Sequence, residues 1–157
     1  MSSQVLSEQS VGTGPFAALL RAHAGATRRL NAQLIADHGL TISDYEVLLR
    51  LARAPDRRMR RVDLAGKVLL TASGITRLLD GLEECGYVER AACASDRRVV
   101  YAVLTDSGLE KLRSASVTHL AQVDAYFAAR LDRMELEALQ RLLDRIGEPD
   151  EPDCSPT

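Results

Sequence analysis

The stretch from Thr71 to Gly108 constrains the fold more than any other part of the chain. Ile75, Leu78, Leu79 and Leu82 recur at the i, i+3, i+4, i+7 spacing of an amphipathic helix, and Gly86 ends it. Tyr87–Arg90 and Val99–Leu104 are runs rich in β-branched and aromatic residues, joined by the polar loop Cys93–Arg98, and read as two strands of a hairpin. Thr105 then caps a new helix. A polar-tipped helix followed at once by an arginine-tipped hairpin leaves room for few architectures.

The rest of the chain is helical in pattern. Pro15 opens a first helix carrying Phe16, Leu19, Leu20, His23, Thr27, Leu30 and Leu34, and His38-Gly39 closes it. Thr41 and Ser43 are both caps in form for a second helix, and Ser43-x-x-Glu46 has the shape of a capping box. Val47, Leu48 and Leu51 are its buried face. Arg57–Arg61 reads as a basic connector, Val62–Val68 as a short helix with Leu64, Ala65 and Val68 inward, and Leu69-Leu70-Thr71 as the turn that follows. A long helix is expected from Thr105 to about Arg130 and a last one after the box Asp132-x-x-Glu135. The fold class is therefore mainly α with a small β-hairpin wing, a winged helix-turn-helix.

Composition agrees and removes other classes. Aromatics are 4% and Trp is absent, so the core must be Leu, Val, Ile and Ala. No apolar run approaches the roughly 20 residues that span a bilayer, so no membrane partner is expected. Met1–Gly14 lacks a basic and an apolar signal region, which makes the expected location cytoplasmic. Cys85, Cys93 and Cys154 show no metal-ligand spacing, and His23, His38 and His119 are scattered. No phosphate-cradling glycine loop or nucleophile–base set is present, so neither a cofactor nor an enzyme is expected. The formal charge of −2 hides an asymmetry: Arg50–Val100 holds 11 basic and 7 acidic residues, the remainder 9 and 15. A polyanion responds to that local excess rather than to the sum.

The segments Leu40-Thr41-x-x-x-Tyr45-x-Val47-Leu48, Ser73-Gly74-Ile75-Thr76-Arg77-Leu78-Leu79-Asp80-x-Leu82, Gly86-Tyr87-Val88-Glu89-Arg90, Asp96-Arg97-Arg98 and Leu104-Thr105-x-x-Gly108 together resemble the MarR family of bacterial transcription regulators. Each is weak alone; their order and spacing are specific, and the resemblance spans Pro15 to Ile146. It implies a homodimer that binds a pseudo-palindrome in double-stranded DNA and in many relatives is released by a small, often aromatic or phenolic, ligand. A repressor is expected. The alternatives are a constitutive DNA-binding regulator without a small-molecule effector, and a cysteine-based redox sensor.

The domain plan has a flexible N-terminus (1–14), a single domain (15–146) and a disordered tail (147–157). Within the domain a DNA-binding lobe covers about 41–105, and dimerisation helices cover about 15–38 and 105–146. The terminal helices carry more apolar surface than three thin helices can hide. Dimerising through them answers this, a large monomeric bundle being the alternative. For DNA the candidate residues are Thr71, Ala72, Ser73, Thr76 and Arg77 at the helix tip, with Asp96, Arg97 and Arg98 in the wing. Hydroxyls and Arg77 suit phosphates or base edges, and Ala72 suits a thymine methyl. Arg98 matches the family arginine that enters the minor groove, and Asp96 orients the loop by pairing with an arginine or turning the backbone. Lys67, Arg60 and Arg61 either touch phosphates or are simply solvated. For a ligand, His23 and Tyr45 offer a hydrogen-bond partner and an aromatic wall; the bland reading is that both pack in the core. Cys85 is expected to be packed and Cys93 exposed beside the wing.

Overall fold

The computed structural model describes residues 11–68 and 72–147. The chain divides after Leu120 into two compact units. Among the described residues, the first unit holds helices α1 (Thr13–His38), α2 (Ile42–Arg53), α3 (Arg61–Lys67) and α4 (Ala72–Glu84), strands β1 (Arg58–Arg60), β2 (Val88–Ala92) and β3 (Val100–Leu104), and the first turns of α5 (Asp106–Ala128). The second holds the end of α5 and α6 (Arg133–Ile146).

Local chemistry sets the helix ends. Gly39 adopts φ 67°, and its N–H reaches the Ile35 carbonyl at 2.9 Å, closing α1 as the sequence predicts. The start differs: α1 begins at Thr13 with Gly12 as N-cap, ahead of Pro15. The capping box of α2 is Thr41–Asp44 rather than Ser43–Glu46. Thr41 Oγ1 accepts from the Asp44 N–H at 3.0 Å, and Asp44 Oδ2 accepts from the Thr41 N–H at 2.8 Å. Asp132 and Glu135 cap α6 in the same reciprocal way, at 2.8 and 2.9 Å, as expected. The turn expected at 69–71, including Thr71, and the tail beyond Gly147 lie outside the described residues.

The hairpin gains a strand that the sequence reading took for a connector. After Pro55, Asp56 (φ 52°) and Arg57 (φ 54°) are both left-handed, which swings Arg58–Arg60 against β3. The sheet order is β1-β3-β2, antiparallel throughout, with Arg60 opposite Tyr101 and Val88 opposite Leu104. Arg58 stacks over the Tyr101 ring at 5.0 Å, and Arg57 Nη1 bonds Asp106 Oδ1 at 2.9 Å.

The core joins α2, α3, α4 and the sheet. Val47, Leu48, Leu51 and Leu64 are completely buried, and Ile75, Leu79 and Leu82 come from the predicted stripe of α4. Truncating one such leucine to alanine costs about 2–5 kcal/mol. Where β3 feeds α5, Thr105 Oγ1 donates to the Gly86 carbonyl at 2.7 Å and accepts from the Gly108 N–H at 3.0 Å. Gly108 packs so closely on the start of β2 that a Cβ there would lie 2.1 Å from the Tyr87 carbonyl oxygen. In the second unit Arg130 stacks on Tyr126 at 3.8 Å, and Tyr126 meets Phe127 edge-on. No described helix is long and apolar enough to cross a membrane.

Candidate nucleic-acid interface

Burial of Ile75, Leu79 and Leu82 fixes how α4 rolls. The opposite side therefore faces outward, and Ser73 and Arg77, one turn apart, are both exposed on it. Thr76 is half-buried, and its hydroxyl accepts a 2.7 Å hydrogen bond from Arg61 Nη2, linking α4 to the first residue of α3. Ala72 begins α4.

The wing loop is held open at a defined width. The Cys93 N–H donates to the Val99 carbonyl and the Val99 N–H to the Asp96 carbonyl, each at 3.0 Å. Asp96 Oδ1 accepts from the Arg98 N–H at 2.9 Å, an Asx turn. Of the two roles expected for Asp96, this geometry matches turning the backbone. Asp96, Arg97 and Arg98 are all exposed. Arg90 of β2 ties the wing to α4: its Nε donates to Glu83 and its Nη2 to Asp80. The bond to Glu83, first among the causes, raises the Arg90 pKa above its ordinary value.

At the wing's root, where β1 ends, α3 begins and β3 begins, a cavity of about 300 Å³ is lined by Arg60, Arg61, Val62, Arg98, Val99 and Val100. Arg60 is gripped by Asp63 through Nε–Oδ2 at 2.7 Å and Nη2–Oδ1 at 3.1 Å, and this hydrogen bonding raises its pKa.

The ligand candidates separate. His23 is exposed on α1, whereas Tyr45 is buried. The Tyr45 hydroxyl lies 3.0 Å from Ser116 Oγ, and its ring centroid is 4.8 Å from that of His119. The sequence reading missed His119. It is 8% exposed, its Nδ1 has no hydrogen-bond partner, and desolvation first, then the charge of His38, lower its pKa. His38 Nε2 in turn sits 2.5 Å from Thr118 Oγ1. The missed signal is the row Leu112, Ala115, His119, which keeps helical spacing with only one large aliphatic in it.

Of the two described cysteines, Cys85 departs from the packed position expected of it. Cys85 is exposed, and Cys93 is half-buried. The Cys93 thiol is 3.1 Å from Ser95 Oγ, and this contact, with the backbone N–H groups of the loop, lowers its pKa. Among the described residues no cluster of His, Cys, Asp and Glu can hold a metal.

Known proteins share this fold. A profile of the MarR family matches residues 38–99. The HTH-type transcriptional regulator MhqR of Bacillus subtilis is 30% identical over 132 residues, covering 84% of this chain and 88% of that one. The HTH-type transcriptional repressor YetL of the same organism is 32% identical over 115 residues, covering 71% and 69%. Among solved structures, Sco3205, a MarR family transcriptional regulator from Streptomyces coelicolor in complex with DNA, superimposes with a TM-score of 0.78 at 30% identity, covering 88% of this chain and 86% of its own. AbsC, a MarR family regulator from the same organism, gives 0.70 at 35% identity, covering 82% and 89%. With relatives that match over most of their length and share its winged helix, the chain belongs to the MarR family of transcriptional regulators, a family of DNA-binding proteins and not of enzymes.

Proposed function

We propose that this protein is a repressor that binds a pseudo-palindromic operator as a homodimer, with α4 in the major groove and the 93–98 loop in the minor groove. The observation that carries the reading is the pairing of an exposed Ser73–Arg77 face with an arginine-tipped loop, locked together by Arg90. A solved relative held on DNA supports the same use of the fold. The dimer is supported by apolar side chains left open in each unit: Phe16 and Leu20 of α1 are 62% and 53% exposed, Met134 and Ile146 of α6 79% and 69%. A second copy would cover such surface.

A small aromatic or phenolic effector would bind beside Tyr45, with His119 and Ser116 as its polar partners. His23 would join only if a second copy covered it. The redox alternative rests on Cys93 at the base of the wing, where the Ser95 hydroxyl and loop N–H groups lower the thiol's pKa. If Cys93→Ser kept any peroxide response unchanged, that alternative would fall.

Arg98→Ala tests the wing directly: operator affinity should fall at least tenfold (about 1.4 kcal/mol) with fold and dimer intact. A dimer neutralising about 8 phosphates should show a slope of about −7 in log K against log salt. Unchanged affinity, or a flat salt dependence, would reject the reading.

A further inference from the structure

The two elements assigned to DNA do not touch the same groove, and a sugar-phosphate backbone always runs between a major groove and its neighbouring minor groove. Ground lying between α4 and the wing therefore faces phosphates. The cavity at the wing's root borders that ground, since Arg98 of the loop and Arg61, which bonds Thr76 of α4, both line it. The antiparallel register brings Arg60 opposite Tyr101, next to Val100, and the following residue, Arg61, reaches across to Thr76 of α4. Arg98 enters from the loop. Three arginines thus share one recess of about 300 Å³, and no lining residue is acidic.

Two of these side chains are already held by other bonds. Asp63 grips Arg60 edge-on, which uses two of its N–H groups, and Arg61 spends one N–H on Thr76. A guanidinium has five N–H donors, so each retains others for an oxyanion. Val62, Val99 and Val100 supply an apolar lining suited to the C–H face of a deoxyribose.

We propose that this cavity is a seat for one backbone phosphodiester of the duplex, with Arg60 and Arg61 as its donors and Arg98 on the facing wall. This rests on the DNA-binding reading above and adds a contact that carries no sequence information. Its role is to fix the spacing between the groove that α4 reads and the groove that the wing enters.

The test uses Arg60→Gln, Arg61→Gln and Arg61→Lys in the full chain, with Arg113→Gln of α5 as a distant control. Affinity is measured across a salt series on two probes: a short random-sequence duplex, and a duplex enriched from a random pool by the wild-type protein. Because both donors are needed to hold the phosphate, each glutamine variant should reduce the steepness of the salt slope by about 0.9 per seated phosphate, hence about 2 for a dimer with two seats. It should weaken both probes by the same factor, and Arg61→Lys should recover most of the slope. Arg113→Gln should change nothing. Wild-type slopes in both glutamine variants, or a loss confined to the enriched duplex, would overturn the phosphate seat while leaving the DNA-binding reading standing. Failure of the wild-type protein to bind either duplex would overturn both.

Discussion

Arg61 donates a 2.7 Å hydrogen bond to the hydroxyl of Thr76, so the first residue of α3 is fastened to the middle of α4. The Thr76 hydroxyl, a candidate DNA contact, thus has a protein partner before any duplex arrives. Thr76→Val should therefore lower DNA affinity about fivefold, the worth of one hydrogen bond of about 1 kcal/mol. Thr76→Ser, which keeps the hydroxyl, should stay near wild type. Fluorescence anisotropy with a labelled duplex checks this, and equal behaviour of the two variants would contradict it.

Arg90 joins β2 to Asp80 and Glu83 on the surface, where ion pairs add little to global stability. Its effect should appear in binding. Arg90→Met should unfold at nearly the wild-type temperature yet bind DNA about tenfold more weakly, because the wing no longer holds one angle to α4. The Asp80→Asn, Glu83→Gln double variant should lose a similar amount, and adding Arg90→Met to it should cost little more. Additive losses in that cycle would refute the shared network.

At Gly108, a methyl group would collide with the Tyr87 carbonyl oxygen at 2.1 Å and with Leu104 Cδ1 at 2.8 Å. Backbone cannot yield as a flexible side chain does. Gly108→Ala should lower stability by about 1–3 kcal/mol despite alanine's better helix propensity. A urea midpoint equal to or above that of wild type would show that the joint relaxes freely.

His119 predicts a pH dependence of known sign. Burial, then the charge of His38 from α1, lowers its folded-state pKa, while Tyr45 of α2 packs against its ring. The unfolded chain therefore takes up the proton first. The stability associated with neutral His119 is complete above about pH 6.5, and it is lost as pH falls below that value toward the lower folded-state pKa. His119→Phe, which keeps a ring beside Tyr45, should flatten this part of the profile. Urea titrations at about pH 7.5 and about pH 5 compare the two proteins, and identical profiles would remove His119 as the cause.

Much of this fold was legible in the sequence because the local signals agreed with one another. The stripe Ile75–Leu82, the glycine at 39 and the Asp132–Glu135 box each encode their element within a few residues. What escaped depended on distant partners. β1 is Arg-Met-Arg, a charged sequence that becomes a strand only because β3 lies beside it. Thr41–Asp44 and Ser43–Glu46 are both capping boxes in form, and the bonds that form are those of a helix starting at Ile42. The candidate DNA residues were readable as types and spacings. The partners of Thr76 and the gathering of Arg60, Arg61 and Arg98 were not, since all depend on tertiary approach. His119 escaped for another reason: a search for large aliphatics passes over a histidine that fills an apolar slot.

The short strand β1 has one more consequence. A two-stranded ribbon alone in water is marginal, and its tip would wander through many shapes. A third strand along β3 stiffens the support from which the loop with Arg97 and Arg98 projects. On the proposed reading, much of the entropy of placing those cations is lost when the chain folds rather than when it meets a duplex, so a short loop would need few contacts to hold.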